Sequence, residues 1–294
     1  MAKADCDRGV QENTRYQHLS MSPQPIGVFD SGVGGLSVLK ALRAELPLEN
    51  FIYIADSAHA PYGERDDAYV IARSRAVAAQ LAAYHIKALV IACNTATAAA
   101  IHLLRTAYPL LPIIGVEPAL KPAVALSKTG HIAVMATRST LGSTKFQALM
   151  AAQKGLAHFT VEPCDGLADA IEGSATTQNA TEVIAACQRI TCRIGPFGTQ
   201  KGQIDTLVLG CTHYPFAAAH LQALVGPEIQ LLDNGEAVAR QTRRQLEHAG
   251  ALLSRSGWVL KGDTSVFSTG RTEPLQAAAR YWLGLEVTSK SLHF

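Results

Sequence analysis

Short aliphatic runs recur along this chain, and each gives way to a polar turn and then to apolar residues three or four apart. PIGVF (25–29), FIYIA (51–55), ALVIA (88–92), PIIGV (112–116), HIAVMA (131–136), HFTVE (158–162), DTLVLG (205–210) and IQLLD (229–233) read as buried strands. Between them the period changes. Leu36, Leu39, Leu42 and Leu46 recur at helical spacing until Pro47, and residues 67–86 place Val70, Val77 and Leu81 on one helix face. Pro274, after Thr272 and Glu273, opens a last helix. Strictly alternating strands and helices predict an α/β protein, with parallel sheets covered by helices on both faces.

The pattern also repeats itself. ALVIACNTATAAAIHL (88–103) and TLVLGCTHYPFAAAHL (206–221) share a strand, a cysteine, polar residues and an Ala-rich helix ending in His-Leu. IGVFDSGVGGLSVL (26–39) is answered more weakly by IAVMATRSTLGSTK (132–145). We expect two similar domains with an active site in the cleft between them. The first would comprise residues 24–116 plus 227–294 and the second residues 117–226, with crossovers near Pro118 and Pro122 and near Gly226 and Pro227. Residues 1–23 are polar and aperiodic, and are expected to be a loose extension.

A length of 294 residues is enough for two such domains, and 48% hydrophobic residues can fill their cores. Charge narrows the partners. With 26 basic against 24 acidic side chains and no basic stripe, nothing steers nucleic acid or an anionic membrane, so a small soluble molecule is expected. No apolar run reaches the roughly eighteen residues of a membrane span, and the N-terminal stretch lacks the apolar segment of a secretion signal. A cytoplasmic location is expected, where the six cysteines would be reduced.

Ligands of open parallel sheets bind beyond the carboxyl ends of the strands, where helix N-termini present free N–H groups. Asp30, Ser31, Cys93, Asn94, Thr95, Thr137, Thr140, Cys211, Thr212 and His213 all fall just after an expected strand. A single cysteine there is commonly an apolar filler. A matched pair in facing units is different, because each unit then delivers one thiol to the same small space. The helix that follows each cysteine is expected to favour its thiolate. A nucleophilic hydrolase needs one thiol beside a histidine, whereas inverting a carbon centre needs a base on one face and an acid on the other. Two opposed thiols fit inversion.

FDSGVGG (29–35), APYG (60–63), ACNTATA (92–98) and GCTHYPF (210–216) resemble the signature segments of the glutamate racemases, within the aspartate/glutamate racemase family. The likeness runs from about Pro25 to about Leu285. It implies a cofactor-independent, metal-free amino-acid racemase that supplies D-glutamate for peptidoglycan, with glutamate as its small-molecule partner. It implies Cys93 and Cys211 as the two acid/base thiols, the first serving the D substrate and the second the L substrate. Matching the same motifs places Asp30, Ser31, Tyr62, Gly63, Asn94, Thr95, Thr212 and His213 at the substrate, with Asp30 and His213 also tuning the thiols. Thr137, Thr140 and Glu172 would stand behind them, although this chain has Asp165 where the family often has proline. Family members are often dimers, so the resemblance allows a homodimer.

Other readings carry less. Gly32, Gly34 and Gly35 do not make G-x-G-x-x-G, because Ser37 takes the last position, which weakens a dinucleotide site with Asp56 as its ribose acid. The glycines are read instead as letting backbone approach a small carboxylate, or as a tight turn. CQRITC (187–192) lacks a second ligand pair for a metal, and Cys187 and Cys192 are read as filler, while Cys6 and Cys164 have no expected role. A racemase of aspartate or another small acid, a non-catalytic amino-acid binder and a Cys93/Cys211 redox pair remain as alternatives.

Overall fold

A computed structural model describes residues 24–254 and 261–294, so the expected extension over residues 1–23 lies outside the described residues. The first stretch runs β1 (Ile26–Asp30), α1 (Leu36–Glu45), β2 (Phe51–Ala55), α2 (Asp67–Ala83), β3 (Ala88–Ile91), α3 (Asn94–Ala107) and β4 (Ile113–Gly115). The chain then forms α4 (Leu120–Leu126), β5 (His131–Ala136), α5 (Arg138–Gly142), α6 (Thr144–Ala152), β6 (His158–Pro163), α7 (Leu167–Thr177), α8 (Thr181–Ile194), β7 (Thr206–Leu209), α9 (Ala218–Val225) and β8 (Gln230–Leu232). It closes with α10 (Gly235–His248), β9 (Thr264–Ser268), α11 (Glu273–Leu283) and β10 (Ser289–Ser291).

Two sheets result, and every strand pairing in them is parallel. One has six strands in the order β10-β9-β2-β1-β3-β4, the other four in the order β6-β5-β7-β8. The sequence echo maps onto this topology. β1 and β3 are neighbours in the first sheet as β5 and β7 are in the second, so both cysteine-bearing turns leave equivalent strands.

Burial explains why the runs are continuous rather than alternating. All of β1, β3 and β7 is buried, because helices cover both faces. On one face of the six-stranded sheet Leu36, Leu39 and Leu42 of α1 pack with Val238 and Leu246 of α10 and Leu275 of α11. On the other, Val70, Val77 and Leu81 of α2 join Ala96, Ala100 and Leu104 of α3. The four-stranded sheet is covered by α7, α8 and α9 on one side and by α4 and α6 on the other. Phe216 and Trp282 stack with centroids 3.8 Å apart and touch a core of each sheet, joining the two units.

Three expectations change. The run IQLLD pairs with β7, so the second crossover follows Leu232 instead of Gly226 and Pro227. Gly226 only ends α9 with a positive φ of 96°. The helix expected over 67–86 stops at Ala83, where His85 adopts a left-handed conformation that breaks the hydrogen-bond ladder. Cys187 is buried filler in α8, but Cys192 is exposed and fills nothing. Among the described residues no helix is long and apolar enough to cross a membrane.

Candidate active site

The carboxyl ends of the strands in the two sheets share one pocket. The first unit lines it with Asp30, Ser31, Pro61 to Glu64, and Cys93 to Thr95; the second with Thr137, Arg138, Thr140, Cys164 to Gly166, Ala168, Asp169, and Cys211 to His213. Every substrate-contact position expected from the sequence is among these, as are Thr137 and Thr140. Both thiols are almost entirely buried, Cys93 at 5% and Cys211 at 9% exposure.

Cys93 ends β3 and caps α3, its sulfur accepting the Ala96 N–H at 3.4 Å. Its thiol lies 3.8 Å from the Ser31 hydroxyl. The expected thiolate is not what this setting favours. Burial and the neighbouring Asp30 carboxylate raise the Cys93 pKa well above the ordinary thiol value, outweighing the Ala96 N–H and Ser31, and the Cys211 sulfur pushes the same way. A helix N-terminus stabilises a thiolate less than complete desolvation penalises it.

Asp30 is fully buried at the end of β1. It accepts the Ser31 N–H at 2.8 Å and the Gly35 N–H at 2.6 Å, and the Thr212 hydroxyl stands 3.5 Å away. Its carboxylate therefore both organises the turn into α1 and faces the second unit. Burial raises its pKa despite His213 and these donors.

In the second unit Cys211 Sγ lies 3.5 Å from Nδ1 of His213, whose Nε2 is 2.8 Å from Oε1 of Glu172. Burial disfavours an imidazolium here, but the hydrogen bonds to Cys211 and Glu172 prevail and hold the His213 pKa well above its ordinary value. Glu172 moves the other way. Burial would raise it, yet His213 and the Val33 N–H depress its pKa. Both shifts favour the imidazolium–carboxylate form of the pair.

Hydroxyls and an amide complete the wall. Thr95, Thr137 and Thr140 form one cluster, with Thr137 and Thr140 at 2.9 Å and Thr95 at 3.4 Å from each. The Asn94 side chain, 5% exposed, finds no hydrogen-bond partner for either its oxygen or its nitrogen among the described residues. A buried amide left so is costly unless something else engages it.

Asp56 is not free to bind ribose. It takes Nε and NH2 of Arg73 at 3.0 and 2.9 Å, the Tyr62 hydroxyl at 2.5 Å, the Thr269 hydroxyl at 2.8 Å and a ring nitrogen of His59 at 3.1 Å. It thereby ties the Tyr62 loop to α2 and to the loop after β9. Burial alone would raise its pKa, but Arg73, Tyr62 and Thr269 depress it.

Sequence reasoning passed over two pocket features. Cys164 lines the wall near Cys211, and its only signal was a position after a strand. Arg138 and Asp165 form a 2.7 Å ion pair at the rim, both more than half exposed. It joins the turn after β5 to the turn after β6, a pairing no local pattern reveals.

Comparisons with known proteins agree with this architecture. The sequence profile of the Asp/Glu/hydantoin racemases matches residues 35–242. A glutamate racemase of Ralstonia pickettii is 47% identical over 261 residues, covering 88% of either chain. One of Ectopseudomonas mendocina is 42% identical over 266 residues, covering 90% of this chain and 97% of the relative. Among solved structures, a glutamate racemase isoform from Bacillus anthracis superposes with a TM-score of 0.80 at 29% identity, over 92% of this chain and 98% of that one. The Escherichia coli glutamate racemase, in complex with L-glutamate and the activator UDP-MurNAc-Ala, gives a TM-score of 0.77 at 28% identity over 92% and 99%.

Proposed function

Because this chain belongs to the Asp/Glu/hydantoin racemase family, we propose that it interconverts L- and D-glutamate by a two-base mechanism, with Cys93 and Cys211 as the acid/base pair. The observation that carries this reading is the meeting of two buried thiols, one from each sheet, in a single pocket. One thiolate removes the α-proton while the thiol on the far face delivers another, and the roles exchange for the reverse reaction. Following the family resemblance, Cys93 serves the D substrate and Cys211 the L substrate.

An α-proton beside a carboxylate is only weakly acidic, so the substrate must be bound by donors that stabilise developing charge. The unpartnered Asn94 amide and the Thr95, Thr137 and Thr140 hydroxyls are suited to this. Ser31, Tyr62, Gly63 and Thr212 complete the wall. The two thiols are supported differently. When Cys211 is the thiolate, the His213 imidazolium compensates it at 3.5 Å; when Cys93 is, the Ala96 N–H and the Ser31 hydroxyl do so. Burial and the Asp30 carboxylate oppose a lasting charge on Cys93 and keep that side ready to donate.

This reading routes each proton transfer through protein groups, and it places the product in D-glutamate supply for peptidoglycan within the cytoplasm. The test is optical rotation of L-glutamate incubated with the pure protein, without added cofactor, beside a panel containing aspartate and other small acids. Rotation decaying to zero for glutamate supports the reading. Faster decay for aspartate, or binding without decay, replaces it.

A further inference from the structure

The loop between β1 and α1 meets a carboxylate, but the carboxylate belongs to the protein. A methyl group built on Gly32 would overlap Oε1 of Glu172, and one built on Gly34 would overlap the imidazole of His213, with Cε1 at 2.5 Å and Cγ at 2.7 Å. Between them the Val33 N–H donates to the same Glu172 oxygen at 3.2 Å. That oxygen also engages His213 Nε2 at 2.8 Å. The loop belongs to the first sheet's unit, whereas Glu172 lies on α7 and His213 after β7 in the second.

The loop is itself held firmly. Tyr53, fully buried in β2, donates its hydroxyl to the Gly32 carbonyl at 2.8 Å, and Asp30 accepts the Ser31 and Gly35 N–H groups. Bare backbone is thus presented as a rigid plate against both ends of the imidazole–carboxylate pair. At Gly34 the ring atom nearest an added methyl is Nδ1, the atom facing the Cys211 sulfur. Any side chain there must turn the ring away from that sulfur.

We propose that Gly32, Val33 and Gly34 are positioning residues supplied by the first unit, which fix the His213–Glu172 pair of the second unit against Cys211. This rests on the two-thiol reading above. The glycines are required for what crosses over them, and φ > 0 is not the reason, since neither has such a φ. Contact between the units thereby completes the support of one thiol only.

The experiment compares Gly34→Ala in the full chain and in a His213→Asn background, and Gly32→Ala in the full chain and in a Glu172→Asp background, whose shorter side chain makes room. In the otherwise native chain Gly34→Ala should lower kcat by about ten-fold or more with KM little changed. It should also move the alkaline limb of the kcat profile to lower pH. In the His213→Asn background it should cost less than about two-fold, because sites acting through one group are not additive. Equal cost in both backgrounds, or an unchanged pH profile, overturns the proposal. If Gly34→Ala does not fold, the Gly32 comparison decides by the same criterion. The rate of Cys211 alkylation by iodoacetamide is followed for every variant. Should the protein fail to racemise glutamate, the functional reading falls, while a Cys211 alkylation rate changed by Gly34→Ala in the native chain but not in the His213→Asn background still supports the positioning role, and an unchanged rate overturns it.

Discussion

His213 and Glu172 meet at 2.8 Å from different elements of one unit, while the other nitrogen of the ring faces the Cys211 sulfur at 3.5 Å. Together with the hydrogen bond to Cys211, the contact raises the His213 pKa despite its burial. It also predicts a pH effect. Glu172→Gln removes a negative charge that raises the imidazole pKa, so the ring loses its proton at lower pH. The alkaline limb of kcat should therefore shift to lower pH, as loss of a nearby opposite charge dictates. A kcat profile matching that of the unaltered protein would contradict this role for Glu172.

Cys93→Ala and Cys211→Ala should each reduce racemisation by at least about a hundred-fold, the usual worth of a positioned acid or base. Both sulfurs are buried just past strand ends, Cys93 at the start of α3 and Cys211 in the turn after β7, where alanine fits the space. Circular dichroism and thermal midpoint should therefore stay near those of the parent. Near-normal turnover in either variant would show that one thiol suffices.

The fold was legible because its strands are short, the central ones β1, β3 and β7 are buried on both faces, and clear helical stretches space them. ALVIA and DTLVLG could hardly read otherwise. The paired cysteines were legible for the same reason, since the repeated strand–thiol–helix unit implies equivalent positions in equivalent sheets. What escaped were relations between distant segments. No local pattern shows that Gly32 and Gly34 lie against Glu172 and His213, or that Asp56 gathers Arg73, Tyr62 and Thr269. The ionisation of Cys93 escaped as well, because a helix start is visible in sequence and the degree of desolvation is not. β9 and β10 are a similar case: TSVFS and SKS carry little strand signal, and the pairing of β9 with β2 and of β10 with β9 is what recruits them to the first sheet.

Asp56→Ala should destabilise the protein by about 3–5 kcal/mol at neutral pH, because it leaves the Arg73 guanidinium, only 15% exposed, without its partner. The sign with pH follows from its depressed pKa. The carboxylate's contribution is fully present above the ordinary carboxylate range and is lost as pH falls through the depressed folded-state value. Urea unfolding should thus show a large gap between parent and variant at pH 7 that narrows in acid. A gap independent of pH would assign the loss to packing instead. The Tyr62 loop also loses its anchor, so the KM for glutamate should rise.

The most direct test of paired thiols bracketing one carbon is racemisation of L-glutamate in deuterium oxide, read by mass spectrometry of each enantiomer during the first few per cent of conversion. With one base on each face, the D-glutamate formed should carry a solvent deuteron at its α-carbon while the remaining L-glutamate keeps its proton. Deuterium appearing equally in both enantiomers from the outset, or product that retains the original proton, would contradict the account.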